Sequence, residues 1–298
     1  MTGRRPRTSP HAILDADRLN RATLARQSLL GRTPATAVAP AVERFGGLQA
    51  QEPASPYIAL WTRIDGFAAA SLDEAVRERE IVKATLMRST LHAVSRDDYR
   101  HLLPAVRPML HGLTRRERGG GPGAERLDEL ADAALRFAAT PRSNGELRRH
   151  LAPLVDGELD PDDAWWWVRR HAAFIHAPTP VAWSYGRRPS LVAAGSWLHG
   201  EGFVAETDGL ERLVRRHLAA FGPATAADIA SWSGLPVARL RPAIEAIDRS
   251  GELRRFGDTR ARELLDLEGA PLPEGDTLAP PRLLPMWDSV LLAFADRT

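Results

Sequence analysis

Two glutamines one residue apart, Gln49 and Gln51, stand in the run Phe45-Gly46-Gly47-Leu48-Gln49-Ala50-Gln51-Glu52. In an extended segment, residues two apart project to the same side. This pair can therefore offer two neutral amide heads to one ligand while Ala50 points into the protein. An amide accepts and donates hydrogen bonds without ionising, so the chemistry on offer is orientation and dipolar stabilisation rather than proton transfer. The competing reading is a solvated or backbone-capping pair.

Other residue types with chemical potential are weaker signals. Arg88, Thr90 and His92 alternate along a stretch expected to be a strand, which would set them on one face. An ordinary half-buried histidine is the competing reading for His92. Arg115-Arg116-Glu117-Arg118, Arg169-Arg170-His171, Arg187-Arg188 and Arg215-Arg216-His217 are candidate phosphate contacts, each otherwise a solvated helix or loop face. Trp165-Trp166-Trp167 could stack on bases, but three consecutive rings on a helix read better as core plus one exposed ring. Asp160, Asp162 and Asp163 sit where a helix should begin, so they favour capping over metal binding. No Gly-rich nucleotide fingerprint and no Ser-His-Asp ordering stand out, and neither a metal nor a cofactor is expected.

The elements that would position these residues recur along the chain. Residues 211–221 carry a helical apolar stripe that Gly222-Pro223 ends, and Thr225 with Asp228 forms a capping box for a short helix over 226–232. Ser233-Gly234-Leu235 breaks the chain before a third helix opened by Pro236, on which Arg239 and Arg241 lie. Two strand-like pieces follow, 252–256 and 262–267, joined through Gly257-Asp258. Helix, helix, turn, helix, hairpin is the winged-helix plan.

The same grammar appears upstream, with a helix over 125–139, a capping box at Ser143 and Glu146, a helix from Asp160-Pro161 and a strand over 173–175. Residues 182–197 read as an extended wing or a linker. Near the start, helices are expected over 17–30, 35–45 and 56–64, with Ser71 and Glu74 capping a fourth. A hairpin over 81–87 and 90–94 turns near Arg88-Ser89, and Ser95 with Asp98 starts another helix.

The fold class expected is mainly α with short β wings (α+β): a basic tail over 1–10 and tandem winged helix-turn-helix units over 11–114, 124–208 and 209–270. A Gly-rich linker over 115–123 follows the first unit, and 271–298 reads as the start of an incomplete C-terminal β-domain.

At 298 residues the chain has room for two or three such domains without staples. Cysteine is absent, which excludes a disulfide framework and fits a reducing compartment. No apolar stretch approaches the ~20 residues needed to span a bilayer, so a cytoplasmic protein without membrane contact is expected. Lys and Arg total 40 against 38 Asp and Glu, so charge must be segregated for the chain to hold a polyanion. Lys83 is its one lysine.

The order of parts resembles the tandem winged-helix DNA-binding family that includes bacterial alkyl-DNA glycosylases acting on bulky and interstrand-crosslinked adducts. The resemblance rests on residues 44–51 and on Leu86-Met87-Arg88-Ser89-Thr90-Leu91-His92. Phe221-Gly222-Pro223-Ala224-Thr225 with Asp228-Ile229-Ala230-Ser231-Trp232, and Leu284-Pro285-Met286-Trp287-Asp288, complete it. Its Gln-aliphatic-Gln motif implies a catalytic role for Gln49 and Gln51. Double-stranded DNA is the implied partner, contacted by Arg88, His92, Arg115, Arg116, Arg169, Arg170, Arg187, Arg188, Arg239 and Arg241. Ser89 departs from an expected glycine, and the family's C-terminal β-barrel continues beyond residue 298, so a truncated barrel is expected.

The implied activity is monofunctional hydrolysis of the N-glycosidic bond of an alkylated, N7-substituted purine. Such a base already carries positive charge and leaves without being protonated. Two alternatives remain: a noncatalytic DNA-binding protein or regulator, and a winged-helix scaffold for protein partners. The residues alone leave the adduct and the oligomeric state undetermined.

Overall fold

A strand of two residues, β1 (Ile13–Leu14), leads into α1 (Ala16–Arg26), which Asp15 caps by accepting from the Arg18 N–H. This computed structural model describes residues 12–118, 121–155, 157, 159–179, 189–198 and 202–296, the side chains of 113–118 excepted. Next come α2 (Val38–Arg44), β2 (Leu48–Gln49), α3 (Ser55–Arg63) and α4 (Ala69–Arg77). The hairpin β3 (Ile81–Thr85) and β4 (Leu91–Ser95) follows, its strands linked by a 3-10 turn over Met87–Ser89. Ser95 then caps α5 (Arg96–Arg118), its hydroxyl accepting from the Asp98 N–H at 3.0 Å.

The middle of the chain holds α6 (Ala124–Phe137), β5 (Arg142–Ser143), α7 (Asn144–Leu151), α8 (Pro161–His171), β6 (Phe174–Ala177), β7 (Ser190–Ala193) and α9 (Ala194–Trp197). Both expected capping boxes form. Ser143 and Glu146 close the start of α7, and Thr225 with Asp228 closes α11 (Ala226–Ser233), which lies between α10 (Glu206–Phe221) and α12 (Val237–Arg249). Gly234 ends α11 in a left-handed conformation. The last hairpin is β8 (Leu253–Asp258) with β9 (Glu263–Leu267).

Strand pairing departs from three separate hairpins. The hairpin strands of the first two segments merge into one six-stranded sheet, ordered β2-β4-β3-β6-β7-β5, with β3 and β6 antiparallel through Lys83 and His176. The third hairpin instead recruits the N-terminal β1, parallel to β8, into a three-stranded sheet. One face of the larger sheet, bearing Val82, Ala84, Val94, Ile175 and Val192, buries itself with α5 and α10 residues such as Val106, Leu213 and Leu218. Its other face is divided. Ile81 and Ala93 join Val42, Leu48 and Leu60 in one apolar cluster, whereas Phe174 and Leu191 join Leu130, Leu147 and Val168 in another.

Several local expectations are revised. Ser71 does not cap α4, which starts at Ala69 after an uncapped Ala68, so Ser71 lies inside the helix. Gly257 and Asp258 belong to β8 rather than to the turn, because both pair with β1. Residues 271–296 contain no strand. They run as a strap over the rest of the molecule, where Arg282 donates to the Leu29 carbonyl, the Ala293 carbonyl meets His217 and the Ala295 N–H reaches Asp228. The Gly-rich stretch lies partly outside the described residues, at 119–120, as does part of the expected extended wing or linker, at 182–188.

Candidate functional site

Placement of the glutamine pair begins with two glycines. Gly46 and Gly47 both have positive φ, 76° and 81°, and close α2 in a Schellman arrangement: the Gly47 N–H donates to the Val42 carbonyl and the Gly46 N–H to that of Glu43. A Cβ on Gly47 would stand 2.9 Å from Val94 Cγ1, and one on Gly46 would stand 3.0 Å from the Phe221 ring. Only glycine meets both the conformation and the space. The chain emerges as β2 beside β4, with Gln49 opposite His92.

The two glutamines do not share one hollow. β2 ends at Gln49 and the chain bends at Gln51, so the strand alternation that would align the pair is not carried through. Ala50 does point inward, fully buried with Leu48. Gln51 is exposed on the rim of a cleft of about 350 Å³, where its Oε1 accepts from the Leu91 N–H at 3.4 Å. Gln49 is only 7% exposed, and its Oε1 is buried without a hydrogen-bond partner. It lines a separate crevice with Gln27, Arg63, Asp288 and Ser289.

The cleft opens where the divided face of the large sheet passes from one apolar cluster to the other. Thr85 and Leu91 come from the first hairpin, Phe174, His176 and Leu191 from the second, and Asn144, Arg169 and Arg170 from α7 and α8. Both arginines stack on the half-buried Trp166, at 4.2 and 3.7 Å from its ring, while Trp165 and Trp167 are buried. The triplet is thus core plus one half-buried ring, with that ring carrying the arginines. Tyr99 also lines the cleft; burial raises its pKa and keeps the phenol protonated, with its hydroxyl lacking a partner.

Burial, with help from the positive Lys83 and Arg169, lowers His176 to about 3, so it is neutral near pH 7. On β3, burial brings Lys83 down to about 8 against the pull of Glu52.

Other sequence candidates divide sharply. His92 is fully buried, Nδ1 facing the Thr90 carbonyl at 3.0 Å, and desolvation with nearby Arg88 lowers it to about 3. It cannot reach DNA in this state, because the face it shares with Ala84 and Val94 is the one packed on α5 and α10. Arg88 is half-buried and donates to the Trp232 carbonyl, tying the first hairpin to α11.

Arg215 is engaged by Glu211 and Glu252 and Arg216 by Glu43 and Asp98, both half-buried, while His217 is buried. Arg239 pairs with Glu206, and Arg241 is exposed on α12. Side chains of Arg115 and Arg116, and all of Arg187 and Arg188, lie outside the described residues.

Asp160 caps α8 through the N–H groups of Asp162 and Asp163, as its position suggested. Among the described residues, Glu43, Asp97 and Asp98 are grouped closely enough to bind a cation, but Arg212 and Arg216 already bridge them.

Residues not singled out from sequence make up the rest of both hollows. Arg63 and Asp288 form a buried two-pronged ion pair at 2.8 and 3.0 Å, and Gln27 accepts from Arg63 at 3.2 Å. Asp288 ends the Leu284-Pro285-Met286-Trp287-Asp288 segment, the one signal that could have found this pair.

The cleft is thus lined by a neutral amide, two arginines and a histidine that is uncharged near pH 7. The family model for AlkZ-like DNA glycosylases matches residues 42–298, and the chain belongs to that family. It is accordingly a glycosylase of N-glycosyl bonds in DNA repair, at the level the family defines, with DNA as its partner. The fold is similar to that of Streptomyces sahachiroi DNA glycosylase AlkZ, with a TM-score of 0.72 at 19% identity, covering 86% of this chain and 70% of that one. No curated protein matches the chain. Among the described residues, no helix is long and apolar enough to cross a membrane.

Proposed function

We propose that the protein hydrolyses the glycosidic bond of an alkylated, N7-substituted purine in duplex DNA, with Gln49 and Gln51 as the catalytic pair. The observation that carries this reading is Gln51 on the rim of a cleft that also contains Arg169 and Arg170. An N7-alkylated base is already cationic and departs unprotonated. What remains is to aim water at the sugar C1′ and to stabilise a cationic, oxocarbenium-like sugar, and amide carbonyl oxygens do both. A neutral His176 fits that economy, since no general acid is required.

DNA is held, in this reading, by three winged-helix units over 11–114, 124–208 and 209–270. α8 and α12 face the duplex, and Arg169, Arg170, Arg239 and Arg241 meet phosphates. Arg115, Arg116, Arg187 and Arg188 are assigned the same role, in a cytoplasmic, nucleoid-associated setting. The deep placement of Gln49 favours a division of labour in which Gln51 meets the substrate directly.

Incubation of purified protein with N7-alkylated duplex tests the reading: release of free alkylbase and alkali-labile abasic sites are expected, and their absence overturns it for this substrate class. Gln49→Ala and Gln51→Ala should each lower the rate by on the order of 10²-fold while sparing DNA affinity.

A further inference from the structure

The crevice beneath Gln49 measures about 10 Å³, which is room for a single water molecule. It shares no lining residue with the cleft. Two of its lining side chains, Gln49 through Oε1 and Ser289 through Oγ, hold buried polar atoms without hydrogen-bond partners. Both residues are more than nine-tenths buried, at 7% and 6% exposure. Stranding either atom away from water is unfavourable, so two such atoms lining one hollow call for a common partner.

The lining fixes the chemistry of that partner. Arg63 and Asp288 stand there as a charge-neutralising pair, so the crevice favours neither an anion nor a cation. Its volume excludes anything larger than water, and its polar atoms include a carbonyl acceptor and a hydroxyl that can donate or accept.

We infer that this crevice is a buried water site which bridges the Gln49 amide to Ser289 and so makes the segment after Pro285 a positioning element for the catalytic strand. The water donates to Gln49 Oε1 and exchanges a second hydrogen bond with Ser289 Oγ; the Asp288 carboxylate has lone pairs left for a third. Asp288 is itself fixed, taking both prongs of Arg63 and the Val290 N–H. Gln49 therefore has its amide plane set from behind, by residues that are themselves buried. The functional part of this inference rests on the catalytic reading of Gln49; the water site itself does not.

Two measurements test it. A crystal structure of the whole chain, at a resolution that shows ordered water, should place a density peak within about 2.6–3.2 Å of both Gln49 and Ser289 Oγ. A crevice closed by side-chain repacking, or one without such a peak, overturns the water site.

Ser289→Ala should lower the base-release kcat about tenfold while KM, DNA affinity and the thermal midpoint stay near wild type. Ser289→Thr, which keeps the hydroxyl, should restore most of that loss. In a Gln49→Ala background, Ser289→Ala should have no further effect, whereas an equal additional loss would overturn the positioning role. If wild-type protein released no alkylbase, the glycosylase substrate reading would fall, and the crystallographic measurement would still decide the water site by itself.

Discussion

Neither Gln49 nor Gln51 titrates, and His176, Lys83 and Tyr99 change charge outside the range from about pH 5 to about pH 7. Burial lowers His176 to about 3 and Lys83 to about 8, and it raises the Tyr99 phenol. Base release should therefore be level from about pH 5 to about pH 7, where a carboxylate or histidine base would impose a limb. A sloping kcat over that range would point to an ionisable catalyst in place of the amides.

Stability follows a different course. His92, His176 and His217 are depressed by burial to about 3, 3 and 4 from an ordinary 6.5, so below pH 6.5 the unfolded chain binds protons that the folded chain refuses. Their contribution is complete above 6.5 and is lost progressively as pH falls toward 3. The thermal midpoint should track it downward.

Ser89 supplies a further residue-scale prediction. Its φ is 58°, in the left-handed region where glycine costs least, which explains why glycine is expected at this position. Ser89→Gly should stabilise the protein by about 0.5–1 kcal/mol in denaturant titrations.

At the scale of elements, the strongest constraint on the strand that carries Gln49 is its entry. Gly47→Ala puts a methyl 2.9 Å from Val94 at a φ of 81°, so unfolding free energy should fall by roughly 1–3 kcal/mol. Breaking the buried Arg63–Asp288 pair from one side, with Asp288→Ala, strands a guanidinium that is 1% exposed and should cost about 3–5 kcal/mol.

The elements also show where sequence reading works. The capping boxes at Ser143 and Thr225 and the helix start at Ser95 were legible because each signal and its consequence lie within one helical turn. The tip at Arg88-Ser89 was legible as a turn but not as a buried one. A hairpin tip ordinarily faces solvent, whereas this one packs so closely on α11 that a Cβ on Gly234 would stand 3.2 Å from Arg88 Cα. The Gln-Ala-Gln motif was legible as local sequence, but its geometry depended on where a two-residue strand stops.

Over the whole molecule, long-range pairing decides the architecture and is the least visible in sequence. The junction of Lys83 with His176, the capture of Ile13–Leu14 by β8 and the anchoring of Arg26 on Asp266 at 2.7 Å join residues far apart in the chain that carry no mutual signature. Binding to DNA is the property that belongs to this scale. With formal charge only +2 overall, affinity must come from clustered arginines rather than from a global field. Arg169→Ala and Arg170→Ala should each weaken duplex binding evenly across sequences and lower the steepness of the log affinity against log salt plot by about one.

The bond between β3 and β6 has a mechanical corollary. The two banks of the cleft belong to one six-stranded sheet but are joined across it through a single β3–β6 residue pair, Lys83 with His176, so this narrow seam sets how far apart they stand. In the proposed reading, any widening of the groove to admit a damaged nucleotide falls on that seam.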